Sequence, residues 1–235
     1  MLEAADAITL QVPFWKLMFN TWIVMAILVI ASYLVTRQLQ HDDHPAPAQN
    51  RLEAVVEVIE SQIEDIAGED ARPYLPFIGT LFLFILTSNL LSILPSGQQL
   101  VAHWPMIYHP PTASLDTTTA LALSVLAAVP FFAISRHGLG DYLRTYLEPT
   151  PIMLPFNLIG ELSRTLALAV RLFGNVMSGV VMVSIIIGIA PFFFPILLQV
   201  LGLVTGAIQA YIFAVLAMVY IASAVRTQKK VRRNQ

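Results

Sequence analysis

Residues 171–226 read RLFGNVMSGVVMVSIIIGIAPFFFPILLQVLGLVTGAIQAYIFAVLAMVYIASAVR. An arginine opens the stretch and another closes it. The 54 residues between them, Leu172 to Val225, include no Asp, Glu, Lys, Arg or His. At about 1.5 Å of helical rise per residue, this run is far too long for one crossing of a hydrocarbon core about 30 Å thick. Pro191-Phe192-Phe193-Phe194-Pro195 divides it, because each proline removes a backbone donor and biases the residue before it away from helix. The stretch therefore reads as a helical hairpin, with one helix over about 162–190 and the next over about 196–225.

The chain before the hairpin has the same character. Further apolar spans are predicted at about 17–36, 74–95 and 117–135, the last with a kink at Pro130. Of the 235 residues, 57% are hydrophobic and 12% charged, against about 25% charged in a soluble domain. The expected fold is an all-α polytopic membrane protein: five transmembrane helices in a single membrane domain, 1–235, whose last two form the long hairpin. With 13 basic against 15 acidic residues there is no cationic excess to neutralise phosphates, so nucleic acid is not an expected partner. Cysteine is absent, which removes disulfide scaffolds, thiolate metal sites and cysteine nucleophiles. No metal site and no cofactor is expected.

Lys and Arg in short loops orient membrane proteins. The tail holds Arg226, Lys229, Lys230, Arg232 and Arg233, which places it on the cytoplasmic side of a cell (plasma) membrane. Alternation over five spans adds Arg37, Arg51, Arg72, Arg136, Arg144 and Arg164 to that side and puts the N-terminus outside. Lys16 is then outside and Arg171 within a span. Glu3 and Asp6 stand where a secretory signal would be basic, so the first span is expected to be retained.

Two stretches leave the hydrocarbon. In 51–68, Leu52, Val55, Val56, Ile59, Ile63 and Ile66 recur at helical spacing opposite Glu53, Glu57, Glu60, Glu64 and Asp65. An amphipathic cytoplasmic helix is predicted. Its acidic side is either a solvated face or a docking face for a basic partner. The outer loop with His103, Trp104, Tyr108 and His109 reads as interfacial aromatics, because no carboxylate stands close enough to complete a metal site.

Arg171 demands an explanation. A guanidinium deep in a span is costly and normally faces a protein interior or a wet cavity. Arg164, Leu168, Arg171, Asn175 and Ser178 follow helical spacing, so their polar atoms are expected on one face. Gln199, Gly202, Thr205, Gly206 and Gln209 form a second polar or small-residue stripe on the last helix. The bland alternatives are a snorkelling or structurally paired arginine and ordinary close helix packing. Glu161 lies about 15 Å of helix rise from Arg171, so no acid stands at its depth. The permanent charge of arginine is then expected to meet a carboxylate of another chain.

At these residues the sequence resembles subunit a of the F-type rotary ATP synthases. Leu154-Pro155-Phe156-Asn157-Leu158-Ile159-Gly160-Glu161 with Arg171-Leu172-Phe173-Gly174-Asn175 is similar to the family's signature around its essential arginine. Gly206-Ala207-Ile208-Gln209-Ala210-Tyr211-Ile212-Phe213 is similar to its second signature. Phe77-Ile78-Gly79-Thr80-Leu81-Phe82-Leu83-Phe84, Ser88-Asn89-Leu90-Leu91 and the segment Pro110 to Thr118 also match family segments, over about 54–226 in all.

The resemblance implies a stator beside a c-subunit ring, held with b-type stator subunits and the remaining synthase subunits in the lipid bilayer. Two offset half-channels would connect the ring's ion-binding carboxylates to opposite sides. Arg171 would face the ring and block leakage between the channels, with Gln209 helping to position it. Asn175 and Ser178 would line a path, and Glu161 with Asn157 the cytoplasmic access. Many family members carry a titratable residue nine positions after the arginine and another seven before the glutamine. Here these positions are Val180 and Gly202, which leaves Asp116 as the best outer acid, although it also reads as a helix N-cap. Thr165 stands where proline is common.

The expected ion is the proton, with sodium the alternative. Without a Gly-Lys-Ser/Thr phosphate loop, direct nucleotide binding and catalysis are not expected of this chain itself. The competing readings are a stand-alone secondary transporter and a structural membrane anchor.

Overall fold

The computed structural model describes residues 14–38, 57, 60–66, 72–92, 110–140, 142, 152–190 and 193–233. Among them are five long helices: α1 (Phe14–Gln38), α2 (Leu75–Leu91), α3 (Leu115–His137), α4 (Met153–Ile189) and α5 (Phe194–Arg233). A 3-10 turn, Pro111–Ala113, precedes α3. Residues 60–66 are also helical. The described residues contain no strand, and four of the helices carry apolar windows long enough to cross a membrane. The exception is α2, an apolar helix of 17 residues.

The helix bounds differ from the sequence reading in physically interpretable ways. The start of α4 at Met153 comes nine residues before the expected 162, which puts Asn157 and Glu161 on the helix itself. Pro155 is tolerated there because the first-turn amides have no helical acceptor anyway. Pro195, expected to lie in the break, instead occupies the second position of α5, where its fixed φ suits a helix start. At its far end α5 runs to Arg233, eight residues past the expected 225. The second helix ends at Leu91 rather than 95, with Ser92 closing it. The helix through Pro130 is continuous, at the loss of one backbone hydrogen bond. Gly138 ends α3 with φ 90°, a conformation side-chain-bearing residues rarely adopt.

One core joins four helices. Ile78, Leu81 and Ile85 of α2 meet Ala122, Val125, Ala128 and Val129 of α3, Leu168, Ala169 and Leu172 of α4, and a stripe of α5 from Ala210 to Val225. From Gly206 onward, the buried positions on α5 are 206, 209, 210, 213, 214, 217, 218, 221, 222 and 225. These steps of three and one are the signature of one helical face. Tyr74, 2% exposed, stacks edge-on against Phe132 at 5.2 Å. The Arg136 guanidinium lies 5.8 Å from the centre of the Tyr74 ring. In α1, Leu17, Asn20 and Val24 are buried, while Trp15, Phe19, Trp22, Val29 and Tyr33 are exposed.

The described part of the amphipathic helix docks on this core. Ile63 is 2% exposed within the cluster and Ile66 packs against it, while Glu57, Glu64 and Asp65 are exposed. Tyr211 Oη on α5 donates to Gln62 Oε1 at 2.8 Å. Glu57, Glu64 and Asp65 are therefore turned away from the chain's own core, and Glu60 is half-buried. Leu52, Glu53, Val55, Val56 and Ile59 lie outside the described residues, as do Arg51, His103, Trp104, Tyr108, His109 and Arg144. The side chains of Arg226, Lys229, Lys230, Arg232 and Arg233 are likewise outside them.

Candidate functional site

The geometry of the site follows from the hairpin. Only four residues separate α4 from α5, so the two helices run antiparallel. Asn175 Nδ2 donates to the Thr205 carbonyl at 3.4 Å. One turn back along α4 is Arg171, and one turn on along α5 is Gln209, so this contact brings the two residues to the same level. Further along the hairpin, the Arg164 guanidinium lies 5.8 Å from the Tyr220 ring centre.

At that level the two side chains lie in different surroundings. Arg171 is exposed on the hairpin surface, and among the described residues no ion pair or hydrogen bond holds its guanidinium. Leu168 and Leu172, on either side of it, are buried at 2% and 0% exposure. The expected single polar face is thus split: Leu168 turns to the core while Arg171 and Ser178 turn out and Asn175 sits between. The reason is that Thr165, Leu168, Ala169 and Leu172 form the packing stripe, and Arg171 flanks it. Much of the exposed surface of the hairpin is apolar, with Leu162, Leu166, Val170 and Met182 on α4 and Leu197, Leu201, Val204 and Ile208 on α5.

Gln209 points inward at 6% exposure, and its Nε2 is a buried donor with no acceptor among the described residues. No hydrogen bond joins it to Arg171 among them. Ser178 Oγ is spent on its own helix, donating to the Asn175 carbonyl at 3.0 Å. Asn157 is exposed and Glu161 half-buried; both engage partners. Thr165, where a proline was expected in the family pattern, donates to the Glu161 carbonyl at 3.0 Å within an unbroken helix. Asp116 is exposed in the first turn of α3. It is not the N-cap: Ser114 holds that position, without a side-chain cap bond. The carboxylate still stands at the positive end of the helix dipole. Val180 is half-buried and Gly202 exposed, and a Cβ on Gly202 would meet nothing within 4 Å.

A polar cluster whose residues the sequence reading quotes only as family segments, with no role, lies beside this level. Asn89 of α2, 3% exposed, donates from Nδ2 to the Gly206 carbonyl at 2.9 Å. Thr112 Oγ1 in the 3-10 turn donates to Asn89 Oδ1 at 2.7 Å, and Ser88 Oγ lies 3.3 Å from Thr112 Oγ1. The available signal was a Ser-Asn pair inside an otherwise apolar helix, since a buried polar pair requires partners. What it could not reveal was the partner, 117 residues away.

Comparison with known proteins follows the same residues. The family model described as "ATP synthase A chain" matches residues 18–222. The chain is 56% identical to ATP synthase subunit a 2 of Acaryochloris marina over 204 residues, 87% of this chain and 82% of that one. It is 52% identical to ATP synthase subunit a 1 of Chlorobium luteolum over 211 residues, 90% of each. ATP synthase subunit a of Albidiferax ferrireducens is 53% identical over 209 residues, 89% of this chain and 86% of its own.

Proposed function

Since this chain belongs to the ATP synthase A chain family, we propose that it forms two ion half-channels beside a ring of c subunits and couples proton flow to ring rotation. Family membership makes it a non-catalytic, multi-pass subunit of the membrane sector, assembled with other ATP synthase subunits. The observation carrying the finer reading is Arg171, an exposed guanidinium on a largely apolar, membrane-length hairpin, held by no ion pair or hydrogen bond among the described residues. Left against lipid it would be expensive. A carboxylate on a neighbouring subunit would neutralise it.

The chemistry is one of donors seeking an acceptor. A guanidinium offers only donors and keeps its charge, so it favours the ionised form of a carboxylate that comes beside it. A fixed cation also repels a migrating proton, which keeps the two half-channels separate. Gln209 would support Arg171 from behind, through its carbonyl oxygen. Asn175 and Ser178 would line the path near Arg171, Asn157 and Glu161 the cytoplasmic access, and Asp116 the outer mouth. Each charge moved through the membrane gains about 2.3 kcal/mol per 100 mV.

In this arrangement α2 is the fifth crossing. Its 17 residues reach about 26 Å, slightly under the core thickness. The 31- and 32-residue apolar windows of α4 and α5 reach roughly 46–48 Å, so the hairpin would tilt to keep them in the bilayer. The N-terminus would face outward and the C-terminus the cytoplasm, with b-type stator subunits and the c ring as direct neighbours.

ATP-driven transport by the assembled complex, measured with and without sodium and with a protonophore, tests the ion. Sodium-independent acidification of vesicles is expected. Transport that requires sodium and survives the protonophore would replace the proton by sodium, the ion that the untitratable Val180 and Gly202 would suit. Arg171→Ala tests the site and should abolish coupled transport.

A further inference from the structure

Resting on the translocation reading of the hairpin, we propose that Asn89 is a positioning residue, which clamps α5 in the rotational setting that holds Gln209 inward at the level of Arg171.

The contact is built at both ends. On α2, Asn89 is 3% exposed, in the last turn of the helix. On α5 it meets Gly206, where an added Cβ would come within 3.1 Å of Asn89 Cβ. Only a glycine lets the amide approach the α5 backbone this closely. Nδ2 then reaches the Gly206 carbonyl at 2.9 Å, which has a second lone pair to offer beyond the helical ladder. The amide is itself held from behind, since Thr112 Oγ1 donates to Oδ1 at 2.7 Å and Ser88 Oγ abuts Thr112 at 3.3 Å. Ser88 and Thr112 are both fully buried. Three separate elements, α2, the 3-10 turn and α5, thus converge on one amide.

The place of the clamp gives it its consequence. Gly206 is three residues before Gln209 on the same side of α5, and both are buried. Thr205, adjacent to Gly206, accepts the bond from Asn175 of α4. The clamp from α2 and the contact from α4 therefore hold the same turn of α5. Apolar packing alone sets rotation weakly in a bilayer, because lipid tails accept Leu and Ile as readily as a neighbouring helix does. A directed hydrogen bond supplies the orientation that such packing lacks. An amide does not exchange its proton readily, so the role is holding and not relaying.

The experiment uses the assembled complex in membrane vesicles and reads proton pumping per ATP hydrolysed across pH. Asn89→Leu keeps the branched side-chain skeleton, with bulkier methyl ends, and removes both hydrogen bonds; pumping per ATP should fall at least about tenfold, as expected for small misplacements of a working group. In Asn89→Asp, the neutral acid restores one donor and one acceptor in the amide's positions, while the carboxylate form has no donor. The side chains bonded or packed around this position, Ser88, Ser92 and Thr112, are uncharged, as is Gly206.

The activity of Asn89→Asp, taken as a ratio to the parent protein, should be highest at acid pH and decline as pH rises. Pumping by Asn89→Leu within twofold of the parent, or a ratio for Asn89→Asp that does not change with pH, would overturn the clamp. If Asn89→Leu fails to assemble, the pH profile of Asn89→Asp decides alone. Arg171→Ala runs beside them: normal coupling in that variant would remove the translocation reading itself, whereas loss there with normal coupling in Asn89→Leu removes only the clamp.

Discussion

Two glycines one turn apart on α5, Gly202 and Gly206, form a matched pair for measuring the close approach of α2. Replacing either with Ala gains the same helix propensity, about 1 kcal/mol. The surroundings differ: a Cβ at 202 meets nothing within 4 Å, while one at 206 lies 3.1 Å from Asn89 Cβ. Carbon atoms rest at about 3.5–4.0 Å, so roughly 0.4 Å or more must be made up. Asn89 Cβ is rooted directly in the α2 backbone and has no rotamer to escape through, so the helices must separate. Overpacking of this kind costs typically about 1–3 kcal/mol, and the displacement also stretches the 2.9 Å bond from Nδ2. Gly202→Ala is therefore expected to stabilise by about 1 kcal/mol and Gly206→Ala to destabilise or break even. Equilibrium unfolding of the purified chain in mixed micelles, where no ring subunit touches Gly202, measures the difference. Equal stabilities for the two variants, within about 0.5 kcal/mol of each other, would refute the reasoning, since only the Cβ at 206 meets Asn89.

At the site itself, Arg171→Ala should abolish ATP-driven transport and permit passive proton leak, and Arg171→Lys should fail substantially because a point charge lacks the planar set of donors; full coupling in either variant contradicts the role. Gln209→Met removes a buried donor that has no acceptor among the described residues, so the chain should gain about 1–3 kcal/mol of stability while coupled transport falls; lower stability in the same micelle assay would show that the amide is satisfied. Ile63→Ala should destabilise by about 2–5 kcal/mol as a core truncation, and a neutral result would mean that the 60–66 helix does not dock on the chain. Asp116→Asn is expected to slow proton flux at low outer proton concentration; unchanged flux removes Asp116 from the outer path.

Much of this molecule is readable without coordinates. A run of 54 residues without an ionisable group, split by two prolines, obliges a hairpin, because a bilayer tolerates only internally hydrogen-bonded backbone. The isolation of Arg171 follows from the same count, as do the positions of the other basic residues. The family motifs then point to Gln209 and Asn175, which the structure finds on the hairpin expected to carry them, and to Glu161, which the earlier start of α4 brings onto it. The sequence reading starts α5 too late because it takes Pro195 as part of the break, whereas its missing donor does no harm in the first turn of a helix.

Which way each side chain turns was not legible. In water, periodicity separates core from surface; along α4 the exposed Leu162, Leu166 and Val170 are as apolar as the buried Leu168 and Leu172, because lipid takes the place of water. Sequence therefore determined the membrane class, the hairpin, the lone cation and the family. Tertiary structure alone decided that Arg171 stands on the rim of the packing stripe, that Gln209 turns inward, and that Asn89 closes on Gly206 117 residues away. Those choices depend on fitting volumes and hydrogen bonds between helices far apart in the chain, and no local pattern of residues contains that information.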